Sequence, residues 1–258
     1  MRMALYHTAL CHKFVYRAFG DKLFSFPEQC YERGEDDYRG RRLYGGDIYH
    51  QSDFLYRSDY CIQYNTCACS EHTFLGTSGG RGKISSEKEL PRFTSERRKM
   101  EWLSVRVLLY SMLQEDKEIV YSSEGKPFLS DHSFYISISH TKGYVAVALS
   151  SLNSVGIDIE QYGQRVHRVS DRYIRPDEQV ESYQEDLTWG LLLYWSAKET
   201  IFKRMENADA DFRKLRLAHF IPQVEGTFQV QEFATQQQKL YTVGYRIEPD
   251  FVLTWTEN

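Results

Sequence analysis

Nowhere in this 258-residue chain do the roughly 20 consecutive apolar residues occur that a helix needs to cross a bilayer. The start, Met1-Arg2-Met3-Ala4-Leu5, meets His7 and His12 before a signal-peptide core can form, so a cytoplasmic protein without membrane contact is expected. Charge of one sign is not in excess either. Lys and Arg number 32 against 36 Asp and Glu, a net −4, which gives no electrostatic reason to bind nucleic acid and leaves any basic partner site local. Cysteine is scarce and oddly placed: Cys11, Cys30, Cys61, Cys67 and Cys69 all lie in the first seventy positions. An odd count without a secretion signal argues against a disulfide framework. Cys67-Ala68-Cys69 with His72 lacks the second pair that a zinc knuckle needs, so free thiols are expected. No tandem repeat of short period occurs. With 41% hydrophobic and 15% aromatic residues, the composition is that of an ordinary globular protein, long enough for one large core or two packed halves.

Residues 1–85 crowd Tyr, Cys, Gly and Arg together without helical or strand periodicity and carry no assignable fold. From Thr94 the signals become regular. Thr94-Ser95 offers helix-capping chemistry, and Trp102, Val105, Leu109 and Met112 recur at helical spacing, which predicts a helix of about five turns ending near Leu113. Arg98 and Arg106 flank Trp102 at the edge of that stripe, a position equally suited to solvated arginines with buried stems. Gly125-Lys126-Pro127 reads as a turn. Phe134 to Ser139 and Tyr144 to Leu149 read as a hairpin with Ser139 and His140 at its tip. In a third strand, Val155 to Glu160, the period of two sets Ile157 and Ile159 on one face and Asp158 and Glu160 on the other. Residues 161 to 185 read as two short helices, the second opening at Pro176-Asp177-Glu178. Asp186 is placed to cap a long helix from Leu187 to about Met205. Phe228–Phe233, Tyr241–Ile247 and Phe251–Trp255 read as antiparallel strands, with turns at Glu225-Gly226 and Pro249-Asp250. The regular part is therefore α+β.

Glu199 shares a helical stripe with Leu192, Trp195 and Phe202, which turns a carboxylate toward the interior and demands a partner. Lys203, one turn on, could neutralise it as an i,i+4 pair. Alternatively, Asp158, Glu160 and Glu199 converge from a strand and a helix into an oxygen-rich site suited to Mg²⁺, which implies phosphate chemistry. Lys126, His140 and the arginines of the first helix would then supply cationic donors.

Val155-Gly156-Ile157-Asp158-Ile159-Glu160, followed after thirty-four residues by Trp195-Ser196-Ala197-Lys198-Glu199-Thr200-Ile201-Phe202-Lys203, resembles the paired signature of the 4′-phosphopantetheinyl transferases. Gly125-Lys126-Pro127 and Ser137-Ile138-Ser139-His140 precede it where that family carries similar blocks. Glu160, the chain length and the C-terminal strands are similar to the larger, surfactin-synthetase-activating type. The resemblance covers roughly residues 86–258. It implies a fold of two similar α/β halves in pseudo-twofold arrangement, 86–152 and 153–258, behind an irregular N-terminal segment, 1–85, and a monomer suffices for such a site.

The same resemblance implies transfer of phosphopantetheine from coenzyme A to a serine of an acyl or peptidyl carrier protein, with release of adenosine 3′,5′-bisphosphate. Asp158, Glu160 and Glu199 would hold Mg²⁺, and Glu199 would take the serine proton with Glu178 assisting. Lys203 would neutralise the transferring phosphate. Lys126, Pro127, Ser139 and His140 would hold coenzyme A, with Arg98 and Arg106 in the family's first helix. The basic run Arg165, His167, Arg168, Arg172 and Arg175 lies where relatives dock the carrier, although a solvated charged face has the same spacing. Two other readings fit the residues: a carrier-binding module that has lost coenzyme A binding, and another Mg²⁺-dependent phosphotransferase or nuclease using the same acids.

Overall fold

The computed structural model describes residues 93–205 and 211–257 in full, together with the backbone of five strands before them. These are β1 (Tyr6–His7), β2 (Lys13–Phe19), β3 (Lys22–Glu28), β4 (Gln51–Tyr56) and β5 (Tyr60–Thr66). β2 pairs antiparallel with β3, and β5 with β4, which in turn pairs with β1. The expected lack of regular structure before residue 86 therefore gives way to strands, while the expectations for the cysteines and His72 lie outside the described residues. Chain packing separates Met1–Lys117 with Gly143–Val145 from Glu118–Lys142 with Ala146–Asn258.

In the first unit the predicted helix forms as α1, Glu96–Leu113, burying Val105, Leu109 and Met112 on the stripe read from the sequence. Ser95 occupies the N-cap, yet its hydroxyl makes no cap bond, and its carbonyl accepts from Lys99 N–H at 3.1 Å. The left-handed Gln114 ends the helix, its N–H bonded to the Tyr110 carbonyl.

The second unit opens with a short hairpin, β6 (Ile119–Tyr121) and β7 (Pro127–Leu129), and continues with β8 (Tyr135–Thr141) and, from Ala146 on, with β9 (Tyr144–Ser150). A five-stranded antiparallel sheet follows in the order β10 (Ile157–Gln161), β14 (Phe251–Glu257), β13 (Leu240–Ile247), β12 (Glu225–Glu232), β11 (Leu215–Leu217). Between β10 and β11 lie α2 (Arg165–Val169), a 3₁₀ turn (Ser170–Arg172) and the long helix α3 (Leu187–Arg204). Leu193, Ala197 and Ile201 of α3 pack into one core with Val230, Val243 and Val252 of the sheet. Asp186 caps α3 as expected, its carboxylate accepting from Thr188 N–H at 2.8 Å. Among the described residues no helix is long and apolar enough to cross a membrane.

Three local expectations change. β8 runs through Ser139 and His140 to Thr141, so these residues lie within a strand and the turn falls at Lys142-Gly143. Glu225-Gly226 belongs to β12 rather than to a turn. Pro176-Asp177-Glu178 forms a turn and opens no helix, because its groups bond outward: Glu178 to Leu217 N–H and the Lys198 ammonium, Asp177 to the Arg175 guanidinium.

Candidate active site

Gly156, just before β10, lies against α3 so closely that a Cβ there would overlap the Thr200 carbonyl. The helix face opposite is equally lean: Ser196 and Thr200 hydroxyls meet the Thr254 hydroxyl of β14 at 2.8 and 2.7 Å. This close approach of backbone to backbone sets Asp158 of β10 beside Lys203 of α3.

Asp158 is 3% exposed. Its Oδ1 accepts from Lys203 Nζ at 2.7 Å and from Ser139 Oγ at 2.8 Å, while Oδ2 has no hydrogen-bond partner among the described residues. Lys203 also donates to Ser139 Oγ at 2.9 Å and to the Ile157 carbonyl at 3.1 Å. The i,i+4 pairing with Glu199 is therefore not the bond Lys203 makes, because three acceptors converge on its ammonium from β8 and β10.

Glu199 is left half-buried, and burial, then the Asp158 charge, push its carboxyl up to about 7 against the opposing pull of Lys203. Glu160 is likewise pushed up to about 7, by burial first and then by Asp158, with a smaller push from Glu199. The Trp195 indole N–H donates to Glu160 Oε1 at 2.7 Å and works the other way, as does Lys203. Three carboxylates thus share one field with a single ammonium.

No three His, Cys, Asp or Glu side chains among the described residues already stand gathered in ligating geometry. The donor set nevertheless suits a hard divalent cation. It consists of carboxylate oxygens only, one of them buried and unpartnered, and two of its acids are held back from ionising by burial first and by the Asp158 charge second.

Beside this group opens a cavity of about 800 Å³ whose lining includes Gly125, Lys126, Pro127, Phe134, Phe202 and Lys203. Gly125 takes a φ of 83°, the left-handed conformation that lets the turn close under Lys126. The Ser122 hydroxyl accepts the Glu124 and Lys126 N–H groups, each at 3.2 Å, and the Lys126 ammonium donates to the Met205 carbonyl at the end of α3. His140 is exposed on β8, whereas Ser139 is buried.

Arg98 and Arg106 belong to the first unit. There the Arg106 guanidinium lies 3.4 Å over the Trp102 ring and Arg98 stands 3.8 Å from Glu101. Glu178 is enclosed in a buried ion pair with Lys198 at 2.8 Å, and its oxygens also accept from Arg175 N–H at 2.9 Å and Leu217 N–H at 2.7 Å. Lys198 completes this knot by donating to the Tyr173 carbonyl at 2.6 Å.

Sequence reasoning missed the partners Trp195 and Lys198 and the hydroxyls of Ser137 and Thr141, which accept from Ile157 N–H at 3.1 Å and Gln161 N–H at 3.3 Å. The Ser-x-Ser-x-Thr alternation of β8 was the available signal for those hydroxyls.

Residues 154–256 match the family model described as the 4′-phosphopantetheinyl transferase superfamily. That stretch holds Asp158, Glu160, Glu178, Glu199 and Lys203. The 4′-phosphopantetheinyl transferase AcpT of Escherichia coli (strain K12) is 30% identical over 122 residues, 42% of this chain and 58% of that protein. AcpT of Salmonella typhimurium is 28% identical over 124 residues, 42% of this chain and 59% of that protein. AcpT of Salmonella typhi is 39% identical over 64 residues, 24% and 33% of the two chains. The chain thus spans less than two thirds of the length of the curated relatives it matches. Residues 154–256 of the chain are thus similar to the 4′-phosphopantetheinyl transferase superfamily.

Proposed function

We propose that the protein transfers the 4′-phosphopantetheine group of coenzyme A to a serine hydroxyl of an acyl or peptidyl carrier protein. The observation that carries this reading is the field shared by Asp158, Glu160 and Glu199, short of positive charge and bordering a cavity that Lys126 and Lys203 line. Asp158, Glu160 and Glu199 would hold Mg²⁺, which when bound supplies positive charge against the pyrophosphate oxygens.

The chain's own residues do the rest. The serine oxygen bonds to the β-phosphorus of coenzyme A, the bond from that phosphorus to the bridging oxygen breaks, and adenosine 3′,5′-bisphosphate departs. Glu199, a half-buried carboxylate with raised proton affinity, takes the serine proton. Lys203, fixed beside Asp158, directs positive charge to the phosphoryl group in transfer. Trp195 orients Glu160 through its indole N–H. Lys126 and Pro127 in the turn, with His140 on β8, hold the nucleotide. Glu178 supports the base through the helix that carries Lys198 and Glu199.

Arg165, Arg168 and Arg172 are exposed around α2 and form the docking face for an acidic carrier. The reading goes with the larger type of the family, two similar halves at 86–152 and 153–258, and a cytoplasmic monomer. Incubating the protein with coenzyme A, Mg²⁺ and apo-carrier proteins tests it by mass spectrometry. The expected result is a gain of about 340 Da on one serine, the mass of the transferred group. No gain on fatty-acid, polyketide or peptide carriers would refute it.

A further inference from the structure

We propose that Ser139 is a positioning residue that fixes Lys203 and the Asp158 carboxylate for transfer, and that its side chain makes no contact with the nucleotide. The inference rests on the transferase reading of the same site. A serine hydroxyl has one proton to donate and two lone pairs with which to accept. In Ser139 all three are engaged: the hydroxyl donates to Asp158 Oδ1 at 2.8 Å and accepts from Lys203 Nζ at 2.9 Å and Ile159 N–H at 3.4 Å. The residue is 5% exposed. A phosphate oxygen arriving in the cavity would therefore find no free donor on this side chain without breaking an existing bond.

The neighbouring hydroxyls show what is particular to Ser139. Ser137, Ser139 and Thr141 stand at alternate positions of β8 and take the N–H groups of Ile157, Ile159 and Gln161, replacing a missing neighbour strand along the edge of β10. Of the three, Ser139 is the one whose hydroxyl also bonds both charged groups.

A lysine ammonium on its flexible stem has many rotamers available, so its place is set by how many acceptors converge on it. Lys203 has three, Ser139 Oγ, the Ile157 carbonyl and Asp158 Oδ1. With two donors on Oδ1, the Asp158 carboxylate is also held against rotation, and Oδ2 is left without a hydrogen-bond partner among the described residues. Deleting the Ser139 hydroxyl removes one restraint from each group at once, leaving Lys203 with the Ile157 carbonyl and Asp158 Oδ1.

Full-length Ser139→Ala, Ser139→Thr and Thr141→Val variants test this. Steady-state transfer to an apo-carrier gives kcat and KM, calorimetric titration gives the Kd for coenzyme A, and mass spectrometry follows acetylation of Lys203 by acetic anhydride in metal-free protein. Ser139→Ala should lower kcat about 10- to 100-fold, the range for a lost hydrogen bond to a charged group. KM and Kd for coenzyme A should stay within about threefold, and Lys203 should be acetylated several-fold faster. Ser139→Thr, which keeps the hydroxyl, should recover most of kcat and of the protection. Thr141→Val removes a backbone cap of the same kind and should lower the melting temperature while leaving kcat and Lys203 labelling at wild-type values.

A Ser139→Ala variant with normal kcat and a Kd for coenzyme A weakened more than about tenfold would make Ser139 a nucleotide ligand and overturn the proposal. Equal losses of kcat in Ser139→Ala and Thr141→Val would overturn it too, in favour of strand capping alone. Absence of transfer by the wild-type protein sinks the transferase reading instead, and the labelling of Lys203 still decides whether Ser139 holds it.

Discussion

Replacing Glu199 by glutamine should stabilise the metal-free protein above neutral pH while abolishing turnover. The carboxyl is pushed from an ordinary 4.5 up to about 7, by burial first and the Asp158 charge second. A group raised in this way favours the folded state fully at pH values below 4.5. That contribution is lost as pH rises through about 7, because the unfolded chain ionises freely while the folded one resists. A shift of about 2.5 units at about 1.4 kcal/mol each sets an upper bound of about 3.5 kcal/mol at pH 8. Partial solvation and the shared field with Glu160 reduce it to about 1–2 kcal/mol. Glutamine keeps the shape and never ionises. With about 2–4 °C per kcal/mol in a chain of this size, Glu199→Gln should melt about 2–8 °C higher at pH 8 in EDTA. At pH 5 roughly a quarter of that gain should remain, since unfolded carboxyls are then only partly ionised. Calorimetric melts across pH 5–8 read both numbers. A variant that melts no higher than wild type at pH 8 would refute the account of Glu199 as a carboxylate short of positive charge. A gain as large at pH 5 as at pH 8 would show that packing, not ionisation, is responsible. Mg²⁺ should narrow the difference, raising the melting temperature of wild type more than that of the variant.

Gly156→Ala places a methyl group against the Thr200 carbonyl, which as helix backbone cannot swing away, so stability should fall by about 2 kcal/mol in urea titration and kcat should fall with it. Lys198→Met leaves the Glu178 charge buried without its ammonium and should cost about 3–5 kcal/mol in the same assay, with part of the loss regained in Lys198→Met/Glu178→Gln. Arg165→Glu with Arg168→Glu should raise KM for an acidic carrier about tenfold and flatten its salt dependence while KM for coenzyme A stays put. An unchanged carrier KM would remove α2 from the docking face.

The fold was legible where one element carries its own signals. Asp186 announces the start of α3, the Trp102 to Met112 stripe traces α1, and alternation outlines β12, β13 and β14. Elements defined by distant partners were not legible. β6, β7 and β11 are three residues each, too short for any period to emerge. Pro176-Asp177-Glu178 has the composition of a helix start, but Glu178 is claimed by Lys198 and Leu217, which lie 20 and 39 positions away. The hairpin tip moved for a related reason: β8 extends past Ser139 because its hydroxyls pair with β10, and the turn waits for Gly143 with its φ of 85°.

For the site, the sequence posed the right question about Glu199 and the structure answers it unexpectedly. A carboxylate on an apolar helical stripe calls for a cation, and the nearest candidate in sequence was Lys203. That ammonium is engaged by Asp158 instead, 45 positions away, so the helix delivers its charge to the strand and leaves its own glutamate only partly compensated. A fold optimised for stability alone would pair Glu199 or replace it by an apolar residue. Retaining two half-buried carboxyls near 7 next to Asp158 makes sense where a positive ligand restores the balance during work. The same economy of charge explains why Ser139 is buried rather than turned to the cavity. With one lysine among three acids, the position of that lysine has to be fixed by a neutral group, and a hydroxyl can bond acid and ammonium at once without adding charge of its own.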